Sequence, residues 1–169
     1  SDVYKRQALE PELAEAPLFL VRIKIAKKDL KGAMRSLNAL RKRFPEDAAT
    51  LLYQGYVYEL LKKYSNAEIL YRKSLEMEPE NHRAMLRLST LLIKTGKYEE
   101  AQSFLESLTR KYPDYTVGWW NLGWLYQKLE EIESAEQALE EVVRLDPANT
   151  RAQAQLERIR EELAPVISQ

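Results

Sequence analysis

Apolar residues recur along this chain at three- and four-residue spacings, the signature of amphipathic helices, and the pattern itself repeats at a fixed interval. Pro11, Pro45, Pro79, Pro113 and Pro147 are evenly spaced, and Ala33, Ala67, Ala101 and Ala135 share the same step. The register defines segments 14–47, 48–81, 82–115 and 116–149. Each segment predicts two helices. In the fourth, Trp119, Leu122 and Tyr126 fall on one face of the first helix (i, i+3, i+7). Gly55, Ser89 and Gly123 share one column and the alanines form another, so small residues let the two helices of a hairpin approach closely. The proline closes the second helix, because it cannot continue the hydrogen-bond ladder. Asp47, Asn81, Asp114 and Asn149 follow as candidate N-caps of the next helix. The first segment departs from the others: Val21 stands in the small-residue column and Pro17 in the first helical turn. Residues 150–163 read as a final helix with one strong apolar pair, Leu156 and Ile159, and a polar remainder. That composition suits a cap. Residues 164–169 are expected to be a flexible tail.

A single hairpin of this size cannot shield its apolar face, whereas stacked hairpins can. The fourth segment also carries a W-x-x-L-G-x-x-Y pattern in Trp119, Leu122, Gly123 and Tyr126, followed by Ala135, Leu139 and Pro147. The third gives Met85, Leu88, Ser89, Leu92, Gly96, Tyr98, Ala101, Leu105 and Pro113, and the second Leu51, Gly55, Tyr58, Tyr64, Ala67, Tyr71 and Pro79. The first is weaker: Leu20, Ala33, Leu37, Leu40 and Pro45. In these residues the chain resembles the tetratricopeptide repeat family. The resemblance implies an all-α, right-handed superhelical α-solenoid of stacked antiparallel hairpins, with a concave and a convex side.

It also implies where a partner binds. In that family the second, fifth, ninth and twelfth positions of each repeat line the concave groove. Here they are Glu15, Leu18, Arg22 and Ile25; Ala49, Leu52, Tyr56 and Glu59; Arg83, Leu86, Thr90 and Ile93; and Val117, Trp120, Trp124 and Gln127. Trp120 and Trp124 stand out as candidate aromatic anchors. With Trp119 in the core slot, Trp120 is expected to point elsewhere. The competing reading packs one of the two indoles beneath the final helix, against Ala154 or the stem of Arg158. Leu18, Leu52, Leu86, Tyr56 and Trp120 together describe a partly apolar groove suited to an extended or helical peptide. Some family members grip a chaperone's C-terminal carboxylate with a Lys/Asn/Asn/Lys/Arg clamp. Only Arg83 and Arg87 match it, with Leu18, Arg22 and Tyr53 at the earlier positions, so docking of a chaperone tail is not expected. Arg83 and Arg87 are spaced to hold one carboxylate, or to remain a solvated basic pair.

The opening SDVYKRQ does not fit the register. It is the translation of TCA-GAT-GTG-TAT-AAG-AGA-CAG, similar to the end sequence of transposase-based sequencing adapters. Residues 1–7 are therefore expected to be adapter-derived, with an expression tag or a genuine terminus as alternatives. Residues 8–13, which contain Pro11 where a repeat should close, are expected to be the tail of an upstream repeat.

Composition narrows the function. The 26 basic and 26 acidic side chains balance, which disfavours nucleic-acid binding through bulk phosphate neutralisation. Residues 1–47 carry 11 basic and 7 acidic groups and residues 116–169 carry 5 and 10. This asymmetry leaves self-association open alongside ordinary drift on solvated faces. Cysteine is absent, so disulfides and thiolate chemistry are excluded, without deciding between cytoplasm and bacterial periplasm. No apolar run approaches the roughly 20 residues that span a bilayer. His82 is the one histidine and has no second ligand nearby in sequence; Glu130-Glu131 and Glu140-Glu141 lie on solvated helical faces; and Arg41-Lys42-Arg43 suits a helix C-terminus. Neither a cofactor nor catalysis is expected. The reading is a protein–protein interaction module. The alternatives are a regulatory array attached to an upstream enzyme domain, and a self-assembling module.

Overall fold

The computed structural model describes residues 17–167, and among them it is helical with no strand. Helix α1 occupies 17–26. It is followed by α2 (Leu30–Arg43), α3 (Ala48–Leu60), α4 (Tyr64–Met77), α5 (His82–Lys94), α6 (Tyr98–Lys111), α7 (Thr116–Lys128), α8 (Ile132–Leu145) and α9 (Thr150–Ile167). Each repeated segment thus holds two helices. The readings of residues 1–7 and 8–13, the start of α1 near Ala16 and the groove position Glu15 all lie outside the described residues. The described residues divide between Arg87 and Leu88, within α5, into two compact units.

The turn inside each hairpin has one geometry. Lys28, Lys62, Gly96 and Glu130 occupy the same place in successive segments and sit in the left-handed region, with φ of 60°, 59°, 79° and 63°. In each case the following amide donates five positions back: Asp29 to Lys24, Lys63 to Tyr58, Lys97 to Leu92 and Glu131 to Tyr126, all at 2.9 Å. The left-handed residue itself donates three back, to Ile25, Glu59, Ile93 and Gln127. These paired bonds satisfy carbonyls that a helix end leaves open. Only the third turn has the residue that adopts this conformation without a steric penalty.

The junctions between segments are equally uniform. The residue before each proline is held near φ −130° and ψ 78°, the values at Phe44. Its amide donates to the carbonyl four back: Phe44 to Leu40 (2.7 Å), Glu78 to Ser74 (2.9 Å), Tyr112 to Leu108 (2.8 Å) and Asp146 to Val142 (2.9 Å). The proline ring disfavours the α conformation just before it, so the helix stops there. Caps then start the next helix. Asp47 accepts from the Thr50 amide at 2.8 Å, Asn81 from Ala84 at 3.1 Å and Asn149 from Ala152 at 3.1 Å. The expected fourth cap, Asp114, is not one. The register places the cap at Tyr115, which makes no side-chain cap bond, and Asp114 falls one position too early.

The alanine column is fully enclosed: Ala33, Ala67, Ala101 and Ala135 are each 0% exposed. The facing column shows compensation. A Cβ on Gly55 would lie 2.6 Å from Tyr71 Cε1, so the phenol ring fills the space a larger residue would take. Val21 is buried at the same register position in the first segment, in a core with Leu18, Ala33, Leu37, Leu40 and Val57. There Leu37, smaller than tyrosine, holds the register position that Tyr71 holds in the second segment. The volume lost in one helix is gained in the other. Tyr71 is buried, and its hydroxyl donates to Glu59 Oε2 at 2.8 Å. Burial first, and then the Glu59 charge, push that phenol well above its ordinary range.

In the second unit α9 closes the apolar end of the last hairpin. Leu156 and Ile159 are buried with Ala135 and Leu139, and each such side chain contributes about 1.5–3 kcal/mol on leaving water. On the outside, Arg160 donates to Glu136 at 2.8 Å and to Glu140, tying α9 to α8. The two carboxylates raise the Arg160 guanidinium pKa, chiefly through these hydrogen bonds. The helix does not end at Leu163 before a flexible tail, as expected from the sequence. It runs through Pro165 to Ile167.

Substitutions at these repeated positions have distinct expected outcomes. Gly96→Ala meets no atom within 4 Å, so its cost is purely conformational, about 1 kcal/mol. Lys62→Gly and Glu130→Gly relieve the same strain and should stabilise by about 0.5 kcal/mol. Urea unfolding midpoints should move in these opposite directions. Gly55→Ala forces its Cβ into the Tyr71 ring and should destabilise by about 1–3 kcal/mol. Gly123→Ala meets only Leu139 Cγ at 3.2 Å and Ala138 Cβ at 3.4 Å at close range; the gain of about 1 kcal/mol in helix propensity should leave it near neutral. Equal losses at the two glycines would contradict the compensation described here.

Candidate functional site

The candidate residues of the first unit are placed unequally. Leu18 and Leu52 are 7% and 9% exposed. They belong to the packed interior and offer little surface to a partner. Arg22 and Arg83 are exposed, while Tyr56, Leu86 and Arg87 are half-buried. The structure brings two of these together: the Arg87 guanidinium lies 3.8 Å from the centroid of the Tyr56 ring, a cation–π contact. Glu59, one turn beyond Tyr56 on α3, receives the Tyr71 hydroxyl. Arg87 is therefore held against an aromatic face, while Arg83 projects from the exposed side of α5.

The second unit contains Thr90, half-buried on α5, and the tryptophans of α7. Trp119 does not fill a core slot, contrary to the sequence expectation. Its indole is only half-buried, and Nε1 donates to the Pro113 carbonyl at 2.8 Å. The acceptor lies at the α6–α7 junction and holds the ring there; Leu122 and Leu125 occupy the interior of α7 instead.

Trp120 and Trp124 share a cavity of about 190 Å³ with Gln127, Leu139, Arg151 and Gln155. Trp120 is half-buried against the core that α9 completes. Trp124, on the next turn, remains 46% exposed. The part of α9 that reaches them is not Ala154 or Arg158, which are both exposed. The Arg151 guanidinium lies 4.9 Å from the Trp120 ring centroid, and the Gln155 amide donates to Gln127 Oε1. Leu156 and Ile159 set this rotation: they turn inward, so the residues at 151 and 155 face α7. A second cavity of about 230 Å³ adjoins Trp120, lined also by Thr116, Val117, Asn149 and Arg151.

Arg151 and Gln155 are not among the residues expected from the sequence, where α9 reads as a cap alone. The signal was available: Arg151 follows Val117 by one full period, in the second position of the register. Chemically, the site offers aromatic faces, amide groups and one guanidinium, which are means of binding. Among the described residues, no group of three or more His, Asp or Glu side chains is placed to hold a metal ion, and no helix is long and apolar enough to cross a membrane.

Models of the tetratricopeptide repeat match residues 20–82, 60–119 and 118–149. The human protein O-mannosyl-transferase TMTC3 is 30% identical over 96 residues, which is 56% of this chain and 10% of that protein. The chain spans between 10% and 39% of the length of the curated relatives compared. The solved structure of PilF from Pseudomonas aeruginosa superposes with a TM-score of 0.84 at 19% identity, over 94% of this chain and 72% of that one. The first tetratricopeptide repeat domain of Spaghetti (RPAP3), solved bound to the HSP90 peptide SRMEEVD, superposes with a TM-score of 0.65 at 26% identity, over 69% of this chain and 93% of that one. With repeat matches running without a break from residue 20 to residue 149, and with the helix-hairpin solenoid fold shared by these structures, the chain belongs to the tetratricopeptide repeat family.

Proposed function

We propose that this chain is a non-catalytic interaction module that binds a peptide segment or a protein surface, with Trp120 and Trp124 of α7 as its anchors. The observation that carries this reading is the aromatic pair bordering a cavity, on a helix whose other face is committed to the core. Val117, 47% exposed, extends the stripe by one turn. Large aromatics that lie beside a pocket and remain open to solvent are the groups most often responsible for binding energy at interfaces. The Spaghetti domain, similar in fold, was solved with a peptide bound. In the first unit, Arg22, Tyr56, Arg83, Leu86 and Arg87 offer additional contacts by position, with Thr90 in the second.

A second reading is supported by the match to TMTC3, a transferase of which the chain covers 10%. The repeats would then serve as the targeting or regulatory part of a larger enzyme. In both readings the chain itself binds and does not catalyse.

The test replaces the anchors. Trp124→Ala removes an exposed ring and should leave stability within about 0.5 kcal/mol. Trp120→Ala also loses packing against the cluster of Leu139 and Leu156, so its melting must be followed by circular dichroism. Each anchor is expected to contribute about 2 kcal/mol, so affinity for a partner recovered with the wild-type chain should fall roughly thirtyfold in Trp124→Ala and further in the double variant. Unchanged recovery by a folded double variant would remove α7 from the binding surface.

A further inference from the structure

Residues 116–169 hold 5 basic and 10 acidic side chains. Arg144 is paired with Glu141, and Arg160 with Glu136 and Glu140, while Arg158 donates to the Gln155 amide oxygen at 3.5 Å. Among the described residues, Arg151 has no carboxylate partner; its guanidinium rests on the Trp120 ring. It also lines both cavities beside Trp120, one running toward Trp124 and Gln155 and the other toward Val117 and Asn149. The cleft between α7 and α9 therefore has two unlike walls. Val117, Trp120 and Trp124 form an apolar stripe at i, i+3 and i+7 on α7, and Arg151 and Gln155 form a polar one at i and i+4 on α9.

We infer that this cleft takes a peptide segment carrying a carboxylate next to a large apolar side chain. The carboxylate meets the Arg151 guanidinium, and the apolar side chain lies against Val117 or Trp124. The inference rests on the binding role proposed above and specifies the chemistry of its ligand. The Arg151 guanidinium selects the acid. A guanidinium fixed on an aromatic face keeps its N–H edge free for a planar carboxylate. An incoming acid must also pass a surface rich in carboxylates, so its attraction has to be local. That favours a contact at the only cation bordering both cavities among the described residues. The exposed apolar stripe alongside fixes the second requirement, because a free acid without an apolar neighbour would leave Val117 and Trp124 in water.

Four acetylated and amidated octapeptides of a glycine–alanine background test it, differing at two adjacent places: leucine or serine, and glutamate or glutamine. The readout is the indole N–H resonances of Trp119, Trp120 and Trp124 in the full chain labelled with 15N. The leucine–glutamate peptide should move the Trp120 and Trp124 signals and leave Trp119 in place, and should bind about tenfold more tightly than its glutamine counterpart. Arg151→Gln should abolish that preference and Arg151→Lys should restore part of it, both with unchanged circular dichroism. If none of the four peptides moves these signals, or if Arg151→Gln keeps the preference for glutamate, the inference falls. If the signals shift with the protein's own concentration, the occupant is a second copy of the chain and the peptide assignment is overturned. A partner that is lost on Trp120 and Trp124 replacement but indifferent to Arg151→Gln would overturn this inference alone and leave the proposed function standing.

Discussion

Two helices in a hairpin approach until the residues at their crossing touch, and that contact distance governs the rest of this molecule. Alanine stands at one side of each crossing, fully buried at positions 33, 67, 101 and 135. The other side varies: valine at 21, glycine at 55 and 123, serine at 89. Where glycine opens a space, as at Gly55, a tyrosine ring from the partner helix enters it. Interiors are packed nearly as densely as organic crystals, so the space left by the missing side chain at Gly55 is filled from the partner helix. Close approach within every hairpin commits one face of the leading helix to its partner; on α7 part of the opposite face stays available, at Val117 and Trp124.

The available face is where the candidate site lies. On α7, Leu122, Gly123 and Leu125 point into the hairpin, and Val117, Trp120 and Trp124 project from it. The terminal helix then determines how much of that face stays open. Its apolar pair, Leu156 and Ile159, is drawn against Ala135 and Leu139, and this burial fixes its rotation. Arg151 and Gln155 are thereby turned toward the tryptophans, half-covering Trp120 and leaving Trp124 open. A helix that closes an apolar core thus also builds one wall of a cleft, without any residue having a purely functional position. The polar pairs reinforce the geometry. Tyr126 donates to Glu106 at 3.0 Å, and burial together with that carboxylate pushes its phenol up to about 12. The bond ties α7 back to α6, as the bond from Tyr71 to Glu59 ties α4 to α3.

The uniform junctions explain why a repeat with few identical residues folds uniformly. At the left-handed turn, Lys28, Lys62, Gly96 and Glu130 differ in chemistry but share one backbone conformation, because the paired amide bonds on either side require it. At the closing turn, the proline imposes the same torsions on Phe44, Glu78, Tyr112 and Asp146. Backbone hydrogen bonding tolerates wide side-chain variation as long as the few sterically demanding positions hold.

Spacing along the chain alone determined the helix pairs, their proline ends, the alanine column and the caps at Asp47, Asn81 and Asn149. The helix ends and caps depend on local sterics and on hydrogen bonds that span little more than one helical turn, and the alanine column was legible because its spacing repeats. Spacing did not settle anything that depends on which way a helix turns under its load. Leu18 and Leu52, assigned to the groove by position, are buried by their neighbours. Trp119, assigned to the core by its motif, is held at the surface by an acceptor at the preceding junction. Asp114 is a capping residue by type but misses the register by one position, and a cap bond cannot reach across that offset. Arg151 and Gln155 could enter the site only once the burial of Leu156 and Ile159 had set the rotation of α9. Periodicity fixes how elements repeat, because it is written in short-range contacts. Which side chains face each other across a cleft is decided by long-range packing, where the most apolar residues are buried first and the others take the orientations left to them.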